Sequence, residues 1–302
     1  MARFLTLLLL AILLPATALA DACNDAVEAQ RWSRAVTECR NAADRGAARA
    51  QYNLGLLYHE GLGVQQDYVA AVKWYRKAAR QGEASAQNNL GAMYSQGDGV
   101  RQDHPEAVKW FLKAAEQGEA TAQSNLGVMY YEGLGVWRNH AKAAKWFRKA
   151  ADQGLATAQL TLASLYNRGR GVPKDHAEAA KWFRKAAEQG EVFAQFALGL
   201  FYLRGQGVPQ DHVEAAKWCR KAAEQGYASA QYALGDMYRE GLGVRRDNAM
   251  AYMLFEIAAA QGQIRAAKGR DALAAKMTPV DVSTAKRLAR ECAKKNYTGC
   301  GF

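Results

Sequence analysis

Residues 47–82 read AARAQYNLGLLYHEGLGVQQDYVAAVKWYRKAARQG, and residues 83–118 read EASAQNNLGAMYSQGDGVRQDHPEAVKWFLKAAEQG. Aligned, the two stretches share a glutamine (Gln51, Gln87), a leucine (Leu54, Leu90) and a tyrosine (Tyr58, Tyr94). They also share a glycine pair (Gly61/Gly63, Gly97/Gly99), an aspartate (Asp67, Asp103) and a tryptophan (Trp74, Trp110). The 36-residue spacing continues without insertion through Gln123, Gln159, Gln195 and Gln231, so six copies fill residues 47–262. A period of this length marks a stack of identical supersecondary units, in which each unit is covered by its neighbours rather than by one central core.

Each unit reads as two helices. Ala50, Leu54, Leu57 and Tyr58 fall on one face at helical spacing, and Gly61-Leu62-Gly63 interrupts that pattern. Asp67 opens the second helix, as do Asp103, Asp175 and Asp211 in their copies; with Glu106, Glu178 and Glu214 three residues on, the last three spell capping boxes. Ala71, Trp74, Tyr75, Ala78 and Ala79 then face inward until Gln81-Gly82 stops the helix. Gly55, Gly91, Gly127, Gly199 and Gly235 sit inside the first helix, where each costs about 1 kcal/mol relative to alanine. A close approach by the second helix, along its Ala71 and Ala78 columns, is the expected reason; Ala163 replaces the glycine in the fourth copy. Cys219 stands where other copies have Tyr75, Phe111, Phe147, Phe183 and Phe255, and is expected to be buried and apolar.

The flanks differ from the repeats. Arg3, the apolar run Phe4–Leu14 and Ala18-Leu19-Ala20 form the pattern of a cleaved secretory leader over residues 1–20, too short in its apolar part to span a bilayer. Residues 21–46 form an N-terminal cap or half repeat, with Ala35, Ala42, Ala43 and Gly46 in register. Residues 263–302 form a C-terminal cap whose last helix starts at Thr278-Pro279 and runs to about Lys294. Export to the periplasm or medium would place the five cysteines where disulfides persist. Sequence proximity favours Cys23–Cys39 and Cys292–Cys300 among the three pairings that four cysteines allow.

The composition excludes a disordered chain: 302 residues are 50% hydrophobic and 10% aromatic, with a net charge of +11. Lys73/Arg76/Lys77 recurs as Lys145/Arg148/Lys149, Lys181/Arg184/Lys185 and Lys217/Arg220/Lys221. This basic stripe could attract an anionic envelope component. The i,i+4 pairs Arg148–Asp152, Arg184–Glu188 and Arg220–Glu224 are expected to neutralise part of it as an ordinary solvated face. Nucleic acid is not an expected partner of an exported chain. His104, His140, His176 and His212 form one column, but repeats stacked a helix pair apart cannot bring four such side chains to one metal, so no metal and no cofactor are expected.

The pattern Ala-x-Ala-Gln-x-x-Leu-Gly-x-x-Tyr-x-x-Gly-x-Gly-Val, followed by Asp, Trp and Lys-Ala-Ala-x-x-Gly, resembles the Sel1-like repeats, relatives of the tetratricopeptide repeats. The resemblance implies an all-α fold, a right-handed α-solenoid of antiparallel helix pairs that binds protein partners in a concave groove. By analogy with tetratricopeptide grooves, the first helices would present Tyr52, Asn53, Asn89 and Asn125 to a partner backbone. Phe193, Phe196, Leu200 and Tyr232 would anchor its apolar side chains. The resulting expectation is a non-catalytic protein–protein interaction scaffold or adaptor of the cell envelope.

An enzymatic alternative comes from the same resemblance, because cysteine-rich relatives are described as penicillin-binding or weakly β-lactam-hydrolysing. Ser283-Thr284-Ala285-Lys286 has the Ser-x-x-Lys spacing, but the Ser-Asp-Asn and Lys-Thr-Gly partners of such a site are missing. This chain also lacks the paired cysteines of those relatives in each repeat. Trp137 lies outside the tryptophan column, where other copies have loop residues such as Gln65 and Pro173, and reads either as a lid on the glycine turn or as an exposed contact.

Overall fold

The computed structural model describes residues 16–302, in which the regular structure is sixteen α-helices. Residues 1–15 of the expected leader lie outside the described residues. The chain divides into two compact units, residues 1–139 and 140–302. The first holds α1 (Ala16–Glu28), α2 (Trp32–Asp44), α3 (Ala48–Glu60), α4 (Tyr68–Arg80), α5 (Ala84–Gln96), α6 (His104–Glu116) and α7 (Ala120–Glu132). The second holds α8 (His140–Asp152), α9 (Ala156–Arg168), α10 (His176–Glu188), α11 (Val192–Arg204), α12 (His212–Glu224), α13 (Ala228–Glu240), α14 (Asn248–Ala260), α15 (Ile264–Ala274) and α16 (Pro279–Lys294). Within each unit consecutive helices pack on one another, and α16 returns onto α14.

The turns between helices are set by the glycines and aspartates. α3 ends on Gly61 in the left-handed region (φ 71°), whose N–H donates to the Leu57 carbonyl. The Asp67 N–H then donates to the Tyr58 carbonyl at 2.9 Å, closing the loop, and the Asp67 carboxylate accepts from the Ala70 N–H at 2.9 Å to start α4. Asp103, Asp175, Asp211 and Asp247 cap their helices in the same way. The expected capping boxes form by half only. Each aspartate N–H is already given to a tyrosine carbonyl, so the glutamates turn elsewhere: Glu178 and Glu214 accept from the indole N–H of Trp182 and Trp218.

The leucine column (Leu54 to Leu234) is fully buried in all six copies, together with the alanines that the sequence places inward. The glycine column has a reason different in detail from the expected one. A Cβ on Gly55 would lie 2.7 Å from the Tyr75 ring, and one on Gly91 2.8 Å from the Phe111 ring and 3.2 Å from the Ala107 carbonyl oxygen. The second helix does come close: its aromatic column takes the nearest space, and the alanine column brings its backbone carbonyls in behind, with Ala215 and Ala251 oxygens 3.2 and 3.3 Å from a Cβ on Gly199 and Gly235. Cys219 takes that place against Gly199, is fully buried, and burial pushes its thiol up to about 12, so it packs as an apolar residue.

The flanks are helical. α1 pairs with α2 and also touches α3, and the expected mature start at Asp21 falls inside α1. Cys23–Cys39 bonds α1 to α2 across 16 residues, and Cys292–Cys300 bonds the tail to α16. Loss of the first bond by Cys23→Ala/Cys39→Ala is expected to cost about 3 kcal/mol of the stability of this cap. Hydrogen exchange would show it as faster exchange confined to α1 and α2, with the α3–α4 amides unchanged. At the other end the Tyr297 ring lies over Gly226, and Phe302 is buried.

Candidate partner-binding face

Within the first unit α3 packs on α4 and α5 on α6, and within the second α9 packs on α10, α11 on α12 and α13 on α14. The expected contact residues lie on α3 (Tyr52, Asn53), α5 (Asn89), α7 (Asn125), α11 (Phe193, Phe196, Leu200) and α13 (Tyr232). In the first unit they are largely committed to the chain itself. Asn53 is 5% exposed, and its amide N–H donates to Asn24 Oδ1 of α1 at 2.8 Å. Asn125 donates to Asn88 Oδ1 at 2.9 Å, and Asn88 donates to Asn89 Oδ1 at 3.2 Å. The asparagine ladder is therefore in good part a stitch between successive first helices. Asn88, a buried member of that stitch, was missed because its column holds Tyr52, Ser124, Leu160, Phe196 and Tyr232, with no common chemistry. Tyr52 keeps a half-buried ring with the Arg49 guanidinium 4.9 Å above it, and burial raises its hydroxyl pKa against the pull of Arg49.

The second unit offers a different surface. Phe193 is 58% exposed, and its ring meets the Tyr227 ring edge-on at 5.1 Å; Phe196 meets the other side of Tyr227 at 5.2 Å. Leu200 lies half-buried one turn below Phe196 on α11, and the Tyr232 ring rests 5.7 Å from Phe255. Tyr227 is the residue that joins this cluster and the one the sequence reading left out. Its column holds Ala47, Glu83, Glu119, Leu155 and Glu191, so an aromatic ring there is the available signal. Three rings in edge-to-face contact form a preorganised apolar surface with little rotamer freedom left to lose on binding.

The lysines of the basic stripe are exposed, and part of the stripe lies against the chain's own rings. Lys77, Lys113, Lys149, Lys185 and Lys221 each lie 3.9 to 4.4 Å from the ring centre of the tryptophan three residues earlier. The arginines do not make the expected i,i+4 pairs. Arg76 donates to the Tyr94 hydroxyl at 2.9 Å, Arg220 to Tyr238 at 3.2 Å, and Arg184 to Tyr202, each reaching the first helix of the next copy. Arg148 instead approaches Glu178 at 4.0 Å. A guanidinium that can donate to an ordered phenol of the neighbouring copy has a fixed partner, whereas Asp152, Glu188 and Glu224 would hold it only in a solvent-exposed pair.

His104, His140, His176 and His212 each stand at the first position of an even-numbered helix, and among the described residues no group of three or more His, Cys, Asp or Glu is placed to hold a metal ion. Ser283 and Lys286 lie exposed one turn apart in α16. Trp137 is 94% exposed, which removes the lid reading. Among the described residues no helix is long and apolar enough to cross a membrane.

A family profile for the Sel1 repeat matches residues 48–83, 84–119, 120–155, 156–191, 192–227 and 228–263, one residue later than the frame 47–262 read from the sequence. The chain is similar to the crystal structure of a Sel1 repeat protein from Oxalobacter formigenes, at 34% identity and a TM-score of 0.69, over 80% of this chain and 96% of that one. It is also similar to c5321, a protective antigen present in uropathogenic Escherichia coli strains displaying an SLR fold, at 30% identity and a TM-score of 0.51, over 94% and 85% of the two chains. No curated protein matches the chain.

Proposed function

The chain belongs to the Sel1 repeat family, and we propose from that premise that it is a protein-interaction scaffold of the cell envelope that holds a partner on the uncovered face of its first helices. The observation that carries this is the Phe193–Tyr227–Phe196 cluster, an exposed apolar centre of the kind that supplies most binding energy in an interface. Leu200 and Tyr232 extend it, and in the first unit Tyr52 and Asn89 remain the groups that could meet a partner, since Asn53 and Asn125 are engaged within the chain. Two disulfides and the leader-like pattern of residues 1–20 support an exported, oxidising location. The contacts that the stripe's exposed lysines make with rings, and its arginines with phenols, engage part of its charge within the chain and favour the aromatic cluster over it as the main contact, and the exposed Ser283–Lys286 pair offers no assembled nucleophile and base for a β-lactamase-type reaction.

Phe193→Ala/Phe196→Ala is the test. Capture from envelope extract is expected to lose a specific partner at least tenfold, while the melting temperature of the protein stays close to that of the parent because Phe193 is exposed and Phe196 half-buried. A partner retained by this variant and released by moderate salt would move the working surface to the basic stripe.

A further inference from the structure

Within the second unit, a cavity of about 280 Å3 lies between the end of α13 and α15. It borders the aromatic surface. Arg239, at its edge, and Tyr232 rest on the same ring: the Arg239 guanidinium lies 5.8 Å and the Tyr232 ring 5.7 Å from the centre of Phe255. The lining is where the last copy departs from the others. Arg239 stands in the column of His59, Ser95, Tyr131, Asn167 and Leu203. Gly269 stands in the column of Asn53, Asn89 and Asn125, and leaves open the place those amides fill.

Arg246 belongs to a column that holds glutamine in three copies and Arg138 and Lys174 in two. Each of those glutamines donates its amide back to a helix-end carbonyl, Gln66 to His59 at 2.8 Å, Gln102 to Ser95 at 2.8 Å and Gln210 to Leu203 at 2.9 Å. Arg246 makes no such bond. Among the described residues neither Arg246 nor Lys276 has a hydrogen-bond or ion-pair partner.

The charge at this opening is positive, with Arg239, Arg246 and Lys276 set against Glu240 alone. The acids nearby are already committed. Asp236 and Glu240 hold Arg239 at 2.7 and 2.9 Å, and the Asp247 carboxylate accepts from the Met250 N–H to start α14. Two unpaired cations lining one cavity repel each other, and an anion between them turns that repulsion into attraction.

We propose that this cavity is a subsite for an acidic side chain, an aspartate or glutamate of the partner, whose carboxylate is held by Arg246 and Lys276 while its stem lies along Ala272 and Leu273. This deepens, and rests on, the reading of α11 and α13 as the partner-binding surface. Tyr232 and Arg239 are seven residues apart in α13, about 10 Å, which an extended segment covers in about three residues. An apolar side chain seated by Tyr232 and an acidic one about three places along would therefore be met by one partner segment. A lysine or arginine there would face two unpaired like charges, and an apolar group would leave them unpaired.

The test uses small probes, so that it stands apart from capture of a whole partner at α11. Nα-acetyl-glutamate methylamide and its neutral isostere Nα-acetyl-glutamine methylamide are titrated into the full chain, with the Gly269 amide and Arg246 Nε–H NMR signals followed. Saturable shifts are expected with the glutamate probe, with glutamine at least about tenfold weaker. Arg246→Gln installs the residue of three other copies and so keeps the turn, yet should weaken the glutamate probe severalfold. Adding Lys276→Gln should erase the preference for glutamate over glutamine. Glu240→Gln removes the one carboxylate lining the cavity and should tighten the glutamate probe, a gain that a purely structural role for these residues would not produce. Equal binding of the two probes, no saturable shift, or a double variant that binds glutamate as the parent does would overturn the subsite and leave the Phe193–Tyr227–Phe196 cluster untouched.

Discussion

Gly207→Ala is expected to destabilise the second unit by about 3 kcal/mol or more, while Gly205→Ala, two residues away in the same turn, costs about 1–2 kcal/mol. Both glycines have positive φ, 63° at Gly205 and 69° at Gly207, so a conformational penalty of similar size applies to each. The surroundings separate them. A methyl on Gly205 would meet nothing nearer than Gln210 Cβ at 3.3 Å. On Gly207 it would lie 2.1 Å from the His176 carbonyl oxygen and 2.5 Å from the Ala177 nitrogen, backbone atoms at the start of α10 that cannot turn aside as a side chain can. The turn after α11 is thus laid directly on the first turn of the preceding copy's second helix. Relief requires the two copies to part, and in a stack whose stability is largely intrinsic repeat energy plus neighbour contacts, that loss falls on the contact itself. Urea denaturation of both variants, beside Gly190→Ala, whose added methyl meets nothing within 4 Å despite φ of 94°, checks the order. Equal losses at all three positions would show that backbone conformation alone decides and that the close approach carries no energy.

The same residues show what a repeat sequence discloses. Periodicity revealed the helix pairs, their glycine stops and their aspartate starts, because those signals act within a few residues of where they stand. It could not disclose partners 18 or 30 residues away. Arg76 looked like one of a run of solvated cations, yet its donor ends on Tyr94 of the next copy. The asparagines looked like a free ladder, yet Asn125 is tied to Asn88 and Asn53 to Asn24. A column shows that a residue type recurs, and whether the type serves the stack or a partner depends on what the adjacent copy places opposite. Exceptions to a column were more informative about surface than the columns themselves. Tyr227, in a column of Ala47, Leu155 and glutamates, is such a departure, and its ring joins Phe193 and Phe196.

The glutamine that first announced the repeat has its explanation in pairing across copies, and Gln195→Leu is expected to cost about 2–3 kcal/mol. Gln195 is 5% exposed; its amide donates to the Ala187 carbonyl at 3.2 Å, and its oxygen accepts from Gln225 Nε2 at 2.9 Å. Gln225 also donates to the Gly190 carbonyl at 3.1 Å, so one glutamine pair ties the end of α10, the start of α11 and the end of α12. Leucine fills the space but removes a donor and an acceptor from a buried position. The Ala187 carbonyl keeps its bond from the Gly190 N–H, which limits the loss. A double-mutant cycle with Gln225→Ala should return a coupling near 1 kcal/mol, since the two share one hydrogen bond. Gln195→Glu gives the sharper signature. Its ionised carboxylate would face the Ala187 carbonyl with no proton to donate, so burial and repulsion raise the folded-state pKa above the unfolded value of about 4.3. Protonated glutamic acid can still donate there, so this variant should approach the parent's stability below the unfolded pKa. It should lose stability as pH rises toward the folded pKa, and stay fully destabilised above it. Melting curves from pH 4 to pH 8 read this directly. A loss in the glutamate variant that does not grow with pH would mean that the buried glutamine fills space and does not bind the copies together.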